Sequence, residues 1–422
     1  MGGDKKGVAG AQAGQGKVTL AWTCEVEPVN YSRSEFNEIF NRVSNLGAMY
    51  GNLLIRNLIL HPELSPWEVQ KLTAEASING KTFKELLPDA VRSGYYFSEL
   101  RAKRKQIREA RRLRISLPSF KAGSIPVRDR VWKFVEQDGW IGVRVPILKE
   151  GEQPVLRFRD GYKKNKAYVA ILERIRSGEY KPGSLKIVKK NGRFFVSISY
   201  SFTPPEREVV PGRVMGIDLG IHSPVYIAFS DSPDGVSFEG ESSKLLKVKA
   251  DLSAKYAQIR SWIMKPGVRS GHGRRYKFAP LGRIKRKWQG FVRWWIDHIA
   301  NEVCKIAKKE KVEAVAVEDL NLRSPNFFSV HLGASELKFP VGRLLQTIKY
   351  KLEAEGIRVV EVDPRGTTKI CSNCGREKEI PLEERVFRCE CGLERDRDWN
   401  AARNIALRGR EVLLSAPKLE RD

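Results

Sequence analysis

The sequence lacks several features that would place a protein in a familiar class. It has no apolar run near the roughly 20 residues that span a bilayer, and its first residues lack the apolar segment of a secretory signal. Only 6 cysteines and 5 histidines occur in 422 residues. This excludes a small disulfide-stapled fold and favours a reducing, cytoplasmic compartment. Residues 1–15, rich in Gly, Ala and Gln, are expected to form a disordered leader.

Acidic residues are also scarce relative to basic ones. Lysine and arginine number 76 against 50 aspartates and glutamates, which gives a formal net charge of +26. Such an excess indicates a polyanionic partner, and nucleic acid is the first candidate. Eight cations fall between positions 101 and 114, with Glu109 as the one acidic residue among them. A solvated helix face is the alternative, but these cations would repel one another unless phosphates lie nearby. The eight are Arg101, Lys103, Arg104, Lys105, Arg108, Arg111, Arg112 and Arg114.

A second cationic region covers positions 269–287. It begins with a Gly-rich loop, residues 269–275, and continues into a segment in which cations alternate with aromatic residues up to Trp295. The aromatic residues could stack on unpaired bases or form the core face of a helix, and the sequence leaves both open. The candidate nucleic-acid contacts here are Arg269, His272, Arg274, Arg275, Lys285, Arg286 and Lys287.

Three separated acidic residues carry the strongest chemical signal. Asp218 and Glu318 each end an apolar segment, and Asp398 lies in Asp-Arg-Asp-Trp-Asn, where Asp396 is an alternative. Each alone could be a turn residue or a helix cap. Together, in a strongly basic chain, they predict a site for two Mg²⁺ ions, because oxygen ligands from different elements suit this ion and two such ions hydrolyse phosphodiester bonds. This is the arrangement of a ribonuclease-H-like nuclease.

Four cysteines form a pattern of C-x2-C, 14 intervening residues and C-x-C. Four thiolates suit one tetrahedral, structural Zn²⁺, and the polar segment between the pairs would need the metal to fold. Redox cysteines or a lapsed site are the alternatives. The predicted ligands are Cys371, Cys374, Cys389 and Cys391. Cys24 and Cys304 stand alone and are predicted to be small buried hydrophobes.

The patterning also divides the chain into parts. Residues 16–203 predict a β unit that contains an inserted helical segment, about 32–118, and that ends in a hairpin at Asn191-Gly192. The Pro-containing segment 204–212 predicts a linker. From residue 213 the pattern is α/β, with strands at 214–219, 314–317 and 357–362, long basic helices at 251–264 and 281–308, and a last helix at 400–408.

With these residues in place, the chain resembles the miniature type V-F CRISPR effector nucleases and their transposon-encoded relatives, the TnpB proteins. The first half matches loosely, through residues 171–180 and 199–202, and the Gly-His-Gly-Arg loop favours the type V-F side. The pair Cys389-Glu-Cys391 is one residue shorter than the commonest family form. The matching motifs of the second half are Gly216-Ile-Asp-Leu-Gly220, Gly271-His-Gly-Arg274, Val317-Glu-Asp-Leu320, Thr367-Thr-Lys-Ile-Cys-Ser-Asn-Cys-Gly375 and Asp396-Arg-Asp-Trp-Asn-Ala-Ala-Arg-Asn404.

The resemblance implies an RNA-guided DNA endonuclease of a prokaryotic cytoplasm. It implies an N-terminal wedge β-barrel with an inserted helical recognition lobe. It also implies a C-terminal RuvC nuclease, residues 213–364 and 398–422, with a zinc ribbon inserted at 365–397. Asp218, Glu318 and Asp398 would be its catalytic magnesium ligands. The implied partners are guide RNA, double- and single-stranded target DNA, and a second copy of the chain on one guide, with no membrane.

Three alternatives compete with this interpretation. The chain could be a TnpB nuclease, a catalytically silent RNA-guided regulator, or a DNA transposase of the same fold class. The intact acidic trio argues against the silent regulator. The cysteine cluster just before the third carboxylate argues against the transposase.

Overall fold

The computed structural model describes residues 17–100, 103, 106–107, 110, 116–220, 223–265, 278–319, 341–381 and 384–415. The chain forms two compact units, which divide between Thr203 and Pro204. Among the described residues, every helix is too short or too polar to cross a membrane.

The first unit is built on a seven-stranded antiparallel sheet. The strands of this unit, seven in the sheet and two in a separate pair, are β1 (Val18–Pro28), β2 (Ser77–Ile78), β3 (Lys81–Thr82), β4 (Ser124–Val127), β5 (Lys133–Gln137), β6 (Trp140–Arg144), β7 (Val155–Phe158), β8 (Lys181–Lys190) and β9 (Arg193–Phe202). The order in the sheet is β4-β8-β9-β1-β7-β6-β5, while β2 and β3 pair separately. Strand β1 alternates as predicted, because Trp22, Cys24 and Val26 are buried and the residues between them are not. The β8–β9 hairpin turns at Asn191 (φ 52°) and Gly192 (φ 74°), two positive-φ positions that explain the Asn-Gly pair.

Helices fill the connection between β1 and β4. They are α1 (Arg33–Leu60), α2 (Pro66–Glu75), α3 (Phe83–Leu86), α4 (Asp89–Gly94) and a π-helical turn (Tyr95–Leu100), and after β7 come a 3-10 turn (Asp160–Lys164) and α5 (Lys166–Ser177). Helix α1 begins where predicted, because the Ser32 hydroxyl accepts from the Glu35 amide at 3.2 Å and the Glu35 carboxylate accepts from the Ser32 amide at 2.8 Å. Tyr162 lies in the 3-10 turn and α5 begins after it, since the Asn165 side chain caps α5 by accepting from the amides of residues 167 and 168.

The second unit is a mixed α/β layer structure. Its strands are β10 (Val210–Asp218), β11 (Tyr226–Phe229), β12 (Gly235–Ser237), β13 (Val312–Glu318), β14 (Arg358–Val362), β15 (Val386–Arg388) and β16 (Glu394–Asp396). Its helices are α6 (Glu239–Met264), α7 (Ala279–Lys309), α8 (Val341–Ala354) and α9 (Arg397–Ser415). The main sheet has the order β12-β11-β10-β13-β14, and β15 pairs with β16 in a separate hairpin. Strands β10, β13 and β14 are parallel to one another, whereas β11 pairs antiparallel with both of its neighbours, β10 and β12.

Strand β10 is apolar on both faces because helices cover both. Met215 and Ile217 belong to the core shared with α7 and α8, whereas Val214 packs with Ile405 of α9 on the opposite face. Gly216 sits directly under α9, and a Cβ there would lie 2.0 Å from the Ala402 carbonyl oxygen. A glycine is therefore required for α9 to approach the sheet this closely.

Three predicted boundaries differ from the observed ones. Residues 210–212, which the sequence placed in the linker, already belong to β10, because Val210 donates to the Lys311 carbonyl oxygen and pairs with Val312. Helix α6 begins at Glu239 and not near residue 251. Helix α9 spans Arg397–Ser415, so it is longer at both ends than the predicted 400–408.

Candidate active site and cysteine cluster

Two of the three predicted carboxylates lie side by side at one end of the sheet. Asp218 is the last residue of β10 and Glu318 is the last residue of β13. These strands are parallel, with Ile217 opposite Val317, so the next residue on each strand is a carboxylate at the same edge. Both side chains are buried, with Asp218 7% and Glu318 5% exposed.

The third carboxylate reaches the same end of the sheet from α9. Asp398 lies in the first turn of that helix and is 7% exposed. A Cβ on Gly220, two residues beyond Asp218, would stand 3.9 Å from the Asp398 carboxylate oxygen Oδ2. Three buried carboxylates from three elements thus face one region, an arrangement that like-charge repulsion and desolvation disfavour unless cations compensate it.

The two aspartates of the Asp-Arg-Asp motif have different surroundings. The Asp396 oxygen Oδ1 accepts from the backbone amides of Asp398 at 2.7 Å and Trp399 at 3.3 Å. Asp396 is therefore the N-cap of α9. The Asp398 carboxylate, by contrast, lies near Gly220, just beyond the end of β10.

Two side chains that the sequence analysis missed contact these carboxylates directly. Arg385 Nη2 donates to Asp398 Oδ2 at 2.7 Å, and it also lies 3.9 Å from Asp396 Oδ2. The Thr367 hydroxyl donates to Glu318 Oε1 at 2.7 Å, with Thr367 itself 2% exposed. Arg385 carried no sequence signal beyond its charge, whereas Thr367 stood within the Thr-Thr-Lys motif, which could have suggested it.

The four clustered cysteines converge on one point. Their sulfur atoms all lie within 4.8 Å of one another, so the group could hold a metal ion. The Sγ atoms of Cys371 and Cys391 are 3.6 Å apart, as are those of Cys374 and Cys389. Cys389 and Cys391 lie in the connection of the β15–β16 hairpin, and the first pair lies in the turn that follows residue 370.

The thiols of this cluster differ in acidity. Burial raises the pKa of Cys371 to about 12. A hydrogen bond from the Asn373 side chain lowers the pKa of Cys391 to about 6. Because metals bind thiolates, loading the cluster would release the proton of Cys371.

Helix α9 ties the cysteine cluster to the carboxylates. The Asn400 side chain donates to the Ile370 carbonyl oxygen at 2.8 Å and accepts from the Ser372 amide at 2.9 Å. One turn later, Asn404 donates to the carbonyl oxygens of Thr367 at 2.9 Å and Ile370 at 2.6 Å. The segment that carries Cys371 is therefore fixed to the same helix that carries Asp398.

The described candidate nucleic-acid contacts are Lys103, Lys285, Arg286 and Lys287. Lys103 Nζ lies 5.1 Å from the centre of the Phe120 ring, and Lys285 Nζ lies 5.4 Å from that of Tyr256. Lys285, Arg286 and Lys287 lie on α7, where Arg286 and Lys287 are exposed and Lys285 is half-buried. The other candidates, Arg101, Arg104, Lys105, Arg108, Arg111, Arg112, Arg114, Arg269, His272, Arg274 and Arg275, lie outside the described residues.

The structure separates the two interpretations of the aromatic residues on α7. Trp288 and Trp295 are buried in the core, and the Trp295 indole donates to the Glu241 carbonyl oxygen at 3.0 Å. Trp294 is 55% exposed and stacks on His298 with ring centroids 5.5 Å apart. Only Trp294 of these three tryptophans presents a surface on which a base could stack.

Fold and site together define a mixed α/β protein with three carboxylates at one end of its sheet and a four-cysteine cluster beside them. Comparison with known proteins agrees with that class. A family model described as Cas12f1-like, TNB domain, matches residues 342–405, a stretch that contains all four clustered cysteines and Asp398.

Curated relatives extend the match beyond this domain. The chain is 32% identical over 243 residues to a CRISPR-associated endodeoxyribonuclease Cas12f1 of Sulfoacidibacillus thermotolerans, which covers 56% of each chain. It is 28% identical over 330 residues to the Cas12f1 of Syntrophomonas palmitatica, covering 73% of this chain and 63% of that one. TnpB-like protein L79 of Acanthamoeba polyphaga mimivirus is 42% identical over 64 residues, 15% of this chain and 12% of the viral one. The chain thus spans less than two thirds of the length of these relatives.

Solved structures share the fold at low identity. A Cas12f1–sgRNA–target DNA complex matches with a TM-score of 0.68 and 17% identity, covering 92% of this chain and 99% of that one. The mini-RNA-guided endonuclease Cas_phi3 matches with a TM-score of 0.52 and 13% identity, covering 95% and 93%. The family model and the curated relatives, together with these structures, confirm the resemblance to the miniature type V-F effectors: the chain is related to them and to the TnpB proteins.

Proposed function

We propose that this protein is an RNA-guided DNA endonuclease that hydrolyses phosphodiester bonds in a single RuvC-type site. The observation that carries the proposal is the convergence of Asp218, Glu318 and Asp398, all buried, at one end of a parallel strand pair and the start of α9. The strand order and directions of the second unit support a ribonuclease-H-like assignment. The relatives named as CRISPR-associated endodeoxyribonucleases support DNA as the substrate.

The donor sets fit two different metals. Three carboxylates offer the oxygen ligands that Mg²⁺ prefers, and four sulfurs within 4.8 Å of one another offer a tetrahedral set for Zn²⁺. Magnesium ions at the carboxylates would supply an activated water and stabilise the oxygens that attack and leave the phosphorus atom. Zinc would be structural and would hold the 365–397 segment as a ribbon.

The protein's own groups would prepare this site in three ways. The strand ends fix Asp218 and Glu318 side by side, so little reorganisation is needed when metal and substrate bind. The guanidinium of Arg385 holds the Asp398 carboxylate at 2.7 Å and partly neutralises it. The Asp396 cap fixes the first turn of α9, which sets the position of Asp398.

The proposed partners are guide RNA and target DNA. A net charge of +26 supports them, and so does the matching structure described as a Cas12f1–sgRNA–target DNA complex. In this proposal the first unit is a wedge barrel with a helical recognition insertion at about 32–118, and the second is the nuclease with its inserted ribbon. The proposal also includes a second copy of the chain, so that two copies bind one guide RNA as a homodimer.

The test begins with the RNA that co-purifies with the full-length protein. Sequencing it yields the scaffold, and a reprogrammed guide should then direct Mg²⁺-dependent cleavage of matching plasmid DNA. EDTA should stop the reaction, and added Mg²⁺ should restore it. Cleavage of plasmids regardless of guide, or binding without cleavage in Mg²⁺, would contradict the proposal and favour the transposase or the silent regulator, respectively.

A further inference from the structure

Thr367 lies at the junction between the carboxylates and the cysteine cluster. It follows β14 and precedes Cys371 by four residues. Its hydroxyl oxygen lies 2.7 Å from Glu318 Oε1 and 3.1 Å from the Pro364 carbonyl oxygen. A hydroxyl has one proton to donate, and the shorter bond to the charged acceptor is the stronger one. The proton of Thr367 is therefore committed to Glu318.

The backbone of Thr367 is fixed independently of that hydroxyl. Its carbonyl oxygen accepts from the Asn404 side chain at 2.9 Å, and Asn404 is 6% exposed. Asn400, fully buried, holds the next part of the same segment through Ile370 and Ser372. The hydroxyl is thus held in place by the helix that carries Asp398, and it bonds the carboxylate that ends β13.

We propose that Thr367 is a positioning residue for Glu318 and sets the direction in which this carboxylate meets the divalent metal; the inference rests on the proposed nuclease function. A hydrogen bond to Oε1 fixes the rotation of the carboxylate group and directs Oε2 to a constant position. Partners of metal-binding carboxylates act in this way, and their loss typically costs about 10- to 100-fold in metal affinity or activity.

These hydrogen bonds also connect the carboxylates, which suit Mg²⁺, with the cysteine cluster, which suits Zn²⁺. Asn404 bonds both Thr367 and Ile370, and Ile370 is the residue before Cys371. A change in the first cysteine pair would therefore reach Glu318 through a short segment that is fixed at both ends.

The chain offers a matched control for this inference. Thr368 is the adjacent threonine and is exposed, whereas Thr367 is buried. Thr367→Val removes the hydroxyl at nearly constant shape, Thr367→Ser restores it, and Thr368→Val makes the same chemical change beside the network. Thermal melting of all three variants shows whether they fold.

Two readouts decide the outcome. The first is Mn²⁺ binding to the RNA-free, zinc-replete full-length chain, followed by electron paramagnetic resonance of the free ion. The second is the Mg²⁺ dependence of guided cleavage. Thr367→Val should weaken Mn²⁺ binding or slow cleavage by about 10- to 100-fold. Thr367→Ser should stay close to wild type, and Thr368→Val should be unchanged.

The results also separate this inference from the function on which it rests. If Thr367→Val binds Mn²⁺ and cuts as well as Thr368→Val does, the positioning role is wrong while the nuclease function stands. The positioning role is also wrong if Thr367→Ser is as defective as Thr367→Val. Wild-type protein that binds Mn²⁺ but never cuts contradicts the proposed function, and the Mn²⁺ affinities of the variants still test the role of Thr367.

Discussion

The carboxylate cluster and the cysteine cluster are neighbours in the second unit but are built in opposite ways. Asp218, Glu318 and Asp398 come from elements that lie about 80 to 100 residues apart in the chain and are buried by a sheet and a helix. The cysteines lie within 21 residues, and Cys374 and Cys391 are exposed. Among the described residues, the regular structure within their segment amounts to the three-residue strands β15 and β16 and an isolated bridge between Ile370 and Glu377.

This difference indicates which cluster needs its metal to fold. The carboxylates are placed by the core of the second unit, which includes fully buried residues such as Trp295 and Ile348. Loss of their metal should leave the fold intact. The cysteine segment buries little apolar surface apart from Phe387, so we expect metal binding to supply much of its folding free energy.

The largest expected effect comes from removing a carboxylate. Asp218→Ala, Glu318→Ala and Asp398→Ala should each abolish cleavage, because each removes one of three oxygen ligands and little else. Guide and target binding, measured by filter retention, should remain near wild type. Cleavage by all three variants would refute the nuclease assignment, and cleavage by Asp398→Ala but not Asp396→Ala would exchange the roles of those two aspartates.

The next effect comes from the cysteine cluster. Cys371→Ser should reduce bound zinc from one equivalent per chain to near zero, unfold the 365–397 segment locally and impair cleavage, since that segment leads into Asp398. Atomic emission on freshly purified protein measures the zinc, and limited proteolysis detects the local unfolding. Cys24→Ser and Cys304→Ser are the controls, because Cys24 is buried in the core of the first unit, Cys304 is buried in that of the second, and neither belongs to the cluster. Zinc well below one equivalent in the wild type would count against the ribbon.

A smaller effect is expected from surface charge. Reversal of Arg286 and Lys287 to Glu should weaken RNA or DNA binding and flatten its salt dependence. Each lost phosphate contact should reduce the log–log slope by roughly 0.7 to 0.9. Lys305 and Lys308, which pair with Glu302 and Glu355 at 2.7 Å each, provide a matched double reversal on the same helix. If the two double variants show equal slopes of log affinity against log salt concentration, residues 285–287 do not contact nucleic acid.

The smallest effect should come from the helix cap. Asp396→Ala removes the acceptor for two backbone amides at the start of α9, which costs about 1 kcal/mol of unfolding free energy. Cleavage should be reduced but persist, because the Asp398 carboxylate remains and Arg385 still holds it after the cap is lost. Asp398→Ala should show the reverse pattern, with stability retained and cleavage lost, and denaturant melts run beside the cleavage assay distinguish the two.

Features that depend on local sequence pattern could be predicted, whereas contacts that depend on how the elements pack together could not. Asp218 and Glu318 were identifiable because each ends an apolar strand, and the four cysteines because their spacing is local. Thr367 and Arg385 were missed, since their contacts exist only once α9 and the β15–β16 hairpin are placed against the sheet. The start of α6 was missed because its first turns carry few buried apolar residues besides Leu245.

The same reasoning explains the error at the linker. Pro211 and Gly212 are typical of loops, yet β10 includes them, because Val210 pairs with Val312 and the Gly212 amide donates to the Glu313 carboxylate at 2.6 Å. A register shift between Val210 and Val214 accommodates these residues in the strand. Tertiary pairing with β13 thus overrides a local loop signal in the segment that follows the first unit, which ends at Thr203.

One paired measurement distinguishes the roles proposed for the two clusters, cleavage for the carboxylates and local folding for the cysteines. Glu318→Ala and Cys371→Ser are assayed side by side for zinc content and for guided, Mg²⁺-dependent cleavage. Glu318→Ala should keep one zinc per chain and lose all cleavage, whereas Cys371→Ser should lose its zinc. A Glu318→Ala protein that still cuts, or a Cys371→Ser protein that retains full zinc, would contradict the account.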